Sequence, residues 1–306
     1  MSDVKVNSKS LIDQLRNPDV FYTNFYDIMI KDRHKHGEKS LDSNWISDHF
    51  LDSLRIVSGN QPVFNFPATL SKLIYLLYFT RRRLEDTSEI YIFDPCGGWF
   101  GRQTGLMAAF CMPTFEEIKV HYHCTDVNTM TAGRPEMLHK FWDFYINSRI
   151  GTDFDLYRSF APAERIFDDK FFQDMIGKYD FAFTSPPYFT NEKYSEDENQ
   201  SYLLYKTYPE WRDGFLKGMI KNTYDLLKPG AQFWLNIADV NTNKGNQQYY
   251  PLQNDSVRLA KECGFEHIDT YYMTQHPFPG NESTKNIIKI LEKEKKFEPI
   301  FLFQKR

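Results

Sequence analysis

From Phe66-Pro67 onward the chain alternates between two apolar rhythms. The stretch ATLSKLIYLLYFTRRRL repeats apolar residues at helical spacing and ends in charge, with Pro67 suited to a helix start, so a helix is predicted there. A polar turn follows, and then Ile90-Tyr91-Ile92-Phe93 is a short continuous apolar run of the kind that forms a buried strand. Further strand signals fall at 120–124 (VHYHC), 155–159 (DLYRS), 179–184 (YDFAFT), 232–237 (QFWLNI), 267–272 and 299–303 (PIFLF). Helical stretches separate several of them, including 136–150 and 211–227, the latter stopped by Lys228-Pro229-Gly230. Strand–helix alternation of this kind predicts an α/β fold, a mostly parallel sheet covered on both faces, with ligands bound beyond the carboxyl ends of the strands. Residues 1 to about 60 read differently, as helical pieces around polar loops, and form an N-terminal helical appendage to a core over 61–306. No internal repeat or low-complexity linker interrupts this division.

Composition narrows the picture in three ways. With 306 residues and 41% hydrophobic content, the chain can bury one large core without staples. The four cysteines (Cys96, Cys111, Cys124, Cys263) form no CxxC pair and share no local spacing with the eight histidines that would suggest zinc, so reduced thiols and no metal are expected. The segment MSDVKVNSKSLIDQLRN lacks an apolar signal core, and the run Leu73–Phe79 is far short of the ~20 residues that span a bilayer, so a cytoplasmic location without membrane contact is expected. The formal net charge of -4 excludes a polyanion binder that works by bulk electrostatics. Nucleic-acid contact would have to be local, at Arg81-Arg82-Arg83, Lys31–Lys39 or Lys285–Lys296, although such runs are more often solvated surface.

The chemistry-bearing residues sit where strands end. After the 90–93 strand, Asp94-Pro95-Cys96-Gly97-Gly98-Trp99-Phe100-Gly101-Arg102 makes a strand-to-helix turn in which Gly97, Gly98 and Gly101 permit positive φ and close approach of a ligand. An acid such as Asp94 can accept hydrogen bonds from a cationic or hydroxylated ligand, and a tight structural turn is the bland alternative. Asp126 ends the next strand, placed either to take both hydroxyls of a ribose or to cap a helix. Glu164, in Ala161-Pro162-Ala163-Glu164, has the same two readings: a ligand contact or a cap. Ser185-Pro186-Pro187-Tyr188 follows YDFAFT directly, and two prolines stiffen the chain so that fixed carbonyls and an aromatic ring leave the sheet edge together. Such a surface suits a flat amine, and a Pro-Pro turn closing a strand is its structural counterpart. A dehydrogenase or a P-loop kinase is disfavoured by the absence of GxGxxG and GxxxxGK.

Taken in order, these pieces resemble the amino-group DNA methyltransferases that act on cytosine N4 or adenine N6. Asp94-Pro95-Cys96-Gly97-Gly98 is similar to their cofactor motif, usually Asp-Pro-Phe-x-Gly-Ser-Gly, and Ser185-Pro186-Pro187-Tyr188 to their catalytic motif. FPATLSKLIYLLY resembles the helix that precedes the cofactor loop in that family and helps hold the methionine end, which adds Phe66 and Thr69 to the cofactor-binding set. The resemblance covers roughly residues 60–306 and implies a Rossmann-like S-adenosylmethionine-dependent methyltransferase fold with a seven-stranded sheet. Cys96, Gly97 and Trp99-Phe100 depart from the usual loop.

By the same resemblance, Asp94, Pro95, Cys96, Gly97, Gly98, Gly101, Asp126 and Glu164 would line the S-adenosylmethionine site. Ser185 and the Pro186 carbonyl would accept the amino hydrogens, and Tyr188 would stack on a base that is flipped from a duplex or already single-stranded. Ser at the first motif position is commoner among the cytosine N4 enzymes, so a site-specific cytosine N4 DNA methyltransferase, as in restriction–modification systems, is the leading expectation. Adenine N6, RNA, a protein amide, or an inactive nucleic-acid-binding subunit are the alternatives. The expected partner is DNA, with a homodimer also compatible. Without a separate recognition domain of the usual size, target reading falls to residues 1–60, 190–209, 241–253 and 275–296.

Overall fold

The computed structural model describes residues 66–81, 87–110, 118–129, 154–191, 198–242, 248–274 and 297–306. The segments 1–60, 136–150 and 275–296, the basic runs 31–39 and 285–296, and Cys111 lie outside the described residues.

Helix α1 (Ala68–Arg81) precedes β1 (Glu89–Asp94), helix α2 (Gly101–Phe110), β2 (Lys119–Thr125) and β3 (Phe154–Ser159). After a 3-10 turn at Ala163–Asp168 come β4 (Tyr179–Thr184) and a helical run that starts at Tyr208–Trp211. That run passes through a π turn, Arg212–Leu216, into α3 (Lys217–Leu226). The chain continues through β5 (Leu227–Asn236), a hairpin of β6 (Val240–Thr242) and β7 (Gln248–Tyr250), α4 (Leu252–Glu262), β8 (Phe265–Thr274) and β9 (Phe297–Lys305).

All seven strands expected from the sequence join one sheet, in the order β3-β2-β1-β4-β5-β9-β8. The pairs among β3, β2, β1, β4 and β5 are parallel, while β9 runs antiparallel to both of its neighbours. This is the Rossmann-like methyltransferase sheet that the resemblance implied. The strand order reverses between β1 and β4, and a crevice opens at the carboxyl ends of strands at such a point.

Side-chain alternation explains why both faces are covered. On β1, Ile90 and Ile92 face α1 and α2, packing with Ile74, Tyr75, Phe79, Leu106 and Phe110, while Phe93 faces the other way. On β4, Phe181 and Phe183 join the α1/α2 side and Ala182 the opposite side. On β9, Phe301 and Phe303 meet α3 and α4 while Ile300 and Leu302 point back. Strands buried on both faces must be nearly continuously apolar, which is why their runs stood out.

Two details differ from the expectation. Lys228-Pro229-Gly230 stops the helix as expected, α3 ending at Leu226, but β5 begins at once, at Leu227 rather than at 232. Those turn residues form a bulge against β4, where the pairing jumps from Tyr179↔Leu227 to Phe181↔Gln232, with Gly230 at φ +76. The β6–β7 hairpin and α4 occupy the stretch after β5, of which 241–253 had been read only as a recognition segment.

Candidate functional site

Asp94 is the last residue of β1 and is fully buried. Its Oδ2 accepts from Arg102 Nε at 2.8 Å and Tyr122 OH at 2.6 Å; its Oδ1 accepts from Thr184 Oγ1 at 2.9 Å, Arg102 Nη2 at 3.2 Å and Cys96 N at 3.2 Å. An ionised carboxylate offers about four lone-pair directions, so this one is satisfied from within. The same guanidinium donates to the Cys96 carbonyl and lies 5.8 Å from the Phe66 ring centroid and 5.9 Å from that of Phe183. Burial alone would lower the Arg102 pKa, but Asp94 more than offsets it and the net shift is upward. The Asp94–Arg102 pair thus fixes the loop between β1 and α2, and Thr184 ties it to the end of β4.

The loop itself runs close to β2. Gly97 N donates to Thr125 O at 2.9 Å, and a Cβ on Gly97 would sit 3.1 Å from Cys124 Sγ. Gly98 adopts φ +56, and Gly101 opens α2. Pro95 is buried, and the Cys96 thiol, held near Met219 Sδ, has its pKa raised by burial. Phe66 is buried edge-on to Phe183, with centroids 5.1 Å apart, whereas Thr69 is exposed on the first turn of α1. Helices α1 and α2 touch closely: a Cβ on Gly105 would fall 2.5 Å from the Ala68 carbonyl.

Asp126 lies just beyond β2. Its Oδ2 accepts from Gly98 N at 2.7 Å and its Oδ1 from Asn128 N at 2.9 Å, so it bridges the glycine loop to a local turn and retains acceptor capacity. Burial raises its pKa against the pull of these hydrogen bonds. Glu164 sits in the 3-10 turn after β3, whose cap, Pro162, makes no side-chain hydrogen bond. Tyr205 OH donates to Glu164 Oε1 at 3.2 Å, while Oε2 is buried and has no hydrogen-bond partner among the described residues. Burial raises the Glu164 pKa as well, and the charges of Asp126, Asp94 and Glu164 all act on Cys96. The end of β1, the end of β2 and the turn after β3 therefore converge on one side of the crevice.

The other side is built by β4 and β5. Ser185 follows Thr184 directly, and its hydroxyl donates to Asn236 Oδ1 at 3.0 Å. Tyr188 OH donates to the same oxygen at 3.4 Å. Asn236 ends β5, is 1% exposed, and donates through Nδ2 to the Pro299 carbonyl on β9 at 3.1 Å, which fixes which amide atom faces the motif. With its proton committed, the Ser185 oxygen keeps its lone pairs for an incoming donor. Pro186 and Tyr188 are buried and Pro187 is half-buried. Phe189, at φ +51, packs against Tyr208, Trp211 and Tyr250, so these aromatics anchor the segment after the motif. Arg102, Asn236, Tyr122 and Tyr205 were not singled out by the sequence. Asn236 left one trace, a lone polar residue closing an apolar strand run in FWLNI.

Residues 179–306 match the family model described as DNA methylase, a stretch that opens with β4 and contains Ser185–Tyr188. Over that stretch, less than half of the chain, the protein is similar to DNA methylases, in line with the resemblance to the amino-group DNA methyltransferases. The chain is similar to the type II beta methyltransferase M.BslI of Bacillus sp. (strain NEB-606), at 29% identity over 136 residues. The match spans 40% of this chain and only 14% of that relative's length. Among solved structures, a methyltransferase from Methanosarcina mazei described as SAM-dependent is similar at TM-score 0.44 and 13% identity, covering 75% of this chain and 96% of that one. The CurJ carbon methyltransferase is similar at TM-score 0.45 and 13% identity, covering 78% and 54%. Among the described residues, no helix is long and apolar enough to cross a membrane.

Proposed function

We propose that the chain transfers a methyl group from S-adenosylmethionine to the exocyclic amino nitrogen of a DNA base, with cytosine N4 ahead of adenine N6. The observation that carries this reading is the Ser185 hydroxyl bonded to Asn236 Oδ1, which leaves an acceptor oxygen beside the rigid Pro186-Pro187 step. An amine that donates its hydrogens to Ser185 and to the Pro186 carbonyl has its lone pair directed outward, and alignment of this kind supplies much of the rate in a displacement that needs no covalent enzyme intermediate. Tyr188, tied to the same Asn236, supplies the flat face for the base. An amine inside a duplex is shielded, so the substrate is a flipped or single-stranded base.

The residues at the β1–β3 side fit the cofactor. Gly97 seats the loop closely on β2, and the buried Glu164 Oε2, without a hydrogen-bond partner among the described residues, and the spare acceptor capacity of Asp126 favour a ligand rich in donors. Asp126 would accept from the ribose hydroxyls and Glu164 from a further donor of the nucleoside. S-adenosylmethionine, when bound, supplies an electrophilic methyl group. Asp94 acts one step back, by holding the loop. The preference for cytosine rests on Ser in the first motif position. We also propose residues 1–60 as a target-reading appendage to the 61–306 catalytic domain, and a cytoplasmic location.

The test is mass spectrometry of nucleosides from duplex and single-stranded mixed-sequence DNA incubated with the protein and methyl-labelled S-adenosylmethionine. Label in N4-methylcytosine is expected. Label in N6-methyladenine would reassign the base, and the absence of label in any DNA nucleoside, with cofactor binding demonstrated, would overturn the DNA reading in favour of RNA or a protein amide.

A further inference from the structure

On the α3/α4 face of the sheet, toward the amino ends of the strands and away from the carboxyl ends that carry the candidate site, three potential metal ligands converge. His121 and His123 are two apart on β2 and therefore project from the same face, and Asp155 on β3 pairs in register with His121. His121 Nδ1 lies 2.8 Å and His123 Nε2 3.8 Å from Asp155 Oδ2, and one ligand atom from each of the three residues falls within 4.8 Å of the others. A tetrahedral ion with bonds of about 2.0–2.1 Å sets its ligands roughly 3.3 Å apart, so small side-chain adjustments suffice.

The remaining ring nitrogens are already held. His121 Nε2 is 2.9 Å from Glu89 Oε2, and His123 Nδ1 is 2.8 Å from Tyr179 OH. A metal-ligating histidine almost always bonds its second nitrogen to a carboxylate or another oxygen, which fixes ring and tautomer. Tyr91 stacks flat on His121, with centroids 4.2 Å apart, and Phe171 packs edge-on to His123 at 4.9 Å. The independent sign of a ligand is His123 Nε2 itself: it belongs to a side chain only 2% exposed, makes no hydrogen bond among the described residues, and points at the cluster. Asp155 and Glu89 are about half exposed, which opens a path from solvent and leaves room for a water in the fourth position.

We propose that His121, His123 and Asp155 form a binding site for a divalent first-row transition ion, with zinc the best match to two imidazoles and a carboxylate. Bound there, the ion cross-links β3, the edge strand of the sheet, to β2. Asp126 follows β2 and Glu164 follows β3, so the ion braces the elements that present both. Neither the spacing of the cysteines nor that of the histidines with cysteines signalled this site, because Asp155 joins it only through the parallel register of the two strands.

The experiment uses the full chain, free of any histidine tag and stripped with a chelator, titrated with zinc chloride and separately with cobalt chloride. One ion per chain is expected, with the visible absorption of low-coordinate cobalt and a rise in Tm of about 5 °C when zinc stands at ~100 times its Kd. Asp155→Asn, at a half-exposed position that tolerates change, and His121→Gln should each weaken binding about 100-fold, and Glu89→Gln about 10-fold through loss of the orienting carboxylate. Failure of the folded wild-type chain to bind zinc or cobalt at 1:1 overturns the proposal. So does binding that is unchanged in both Asp155→Asn and His121→Gln. None of these readings depends on the methyl-transfer reaction.

Discussion

The two strand ends that flank the crevice spend their polar groups in opposite ways. At the end of β1, Asp94 is surrounded by donors from Arg102, Tyr122, Thr184 and Cys96 N, leaving it nothing to offer a ligand. At the end of β4, the Ser185 proton is occupied by Asn236, and the oxygen's acceptor capacity faces outward. One site turns its chemistry inward to hold a loop; the other leaves an acceptor oxygen unspent. A motif residue at a strand end is thus not by itself a ligand contact: its role depends on whether the surrounding donors outnumber its lone pairs.

Substitutions can break this contrast in order of expected effect. Asp94→Ala strands the Arg102 charge in a buried site and should cost about 3–5 kcal/mol of stability, seen as a lowered midpoint in urea with or without cofactor. If the variant unfolds like wild type and loses only cofactor affinity, the inward role given to Asp94 is wrong. Ser185→Ala should slow methyl transfer about 100-fold while leaving cofactor affinity and Tm nearly unchanged, as for loss of one group that acts on the reacting centre. Full activity in that variant would remove the outward half of the comparison. Asn236→Ala frees both Ser185 and Tyr188 and leaves the Pro299 carbonyl unpaired, so a fall in kcat of about 10-fold together with a loss of about 1–3 kcal/mol in stability is expected. A change in KM for the cofactor alone would place Asn236 on the wrong side of the crevice.

The smallest effect concerns Glu164. Its pKa is raised by burial above the ordinary glutamate value, so the folded state favours the protonated form. That contribution is fully present below the unfolded pKa and is lost as pH rises through the folded value. Glu164→Gln removes the penalty of burying the charge, and should raise the Tm of the cofactor-free protein by about 2 °C at pH 7.5 while changing it little at pH 4. Equal shifts at both pH values would mean that the carboxylate is not what the fold resists. The same substitution should weaken cofactor binding if Oε2 accepts from the nucleoside.

Strands β1, β4, β5 and β9 were legible in the sequence because each carries a short apolar run, as burial on both faces demands, while the edge strands β3 and β8 are partly exposed and mix polar with apolar residues. Ser185-Pro186-Pro187-Tyr188 was legible because it is contiguous. What escaped notice depends on register and loop geometry. Arg102 reaches Asp94 only once Gly98 and Phe100 take positive φ and fold the loop back. Asn236 matters only because β4 and β5 bring their ends level, with Thr184 opposite Leu235. Lys228-Pro229-Gly230 did mark the end of the helix, but gave no sign that a bulge would carry those residues inside the strand.

The hydrogen bond from Asn236 to Pro299 links the site to folding order. Strand β9 slots between β5 and β8, pairing Asn236 with Ile300 across a long stretch of intervening chain. Pairings between sequence-distant strands close slowly, because the entropy of the loop is lost before the contacts reward it. The strands that end at Asp94, just before Asp126 and just before Ser185 all precede β9 in the chain, whereas the amide that bonds the Ser185 hydroxyl is held by a β9 carbonyl. The orientation of the amide that meets Ser185 therefore depends on β9, the last strand in the chain, and not on the parallel strands alone.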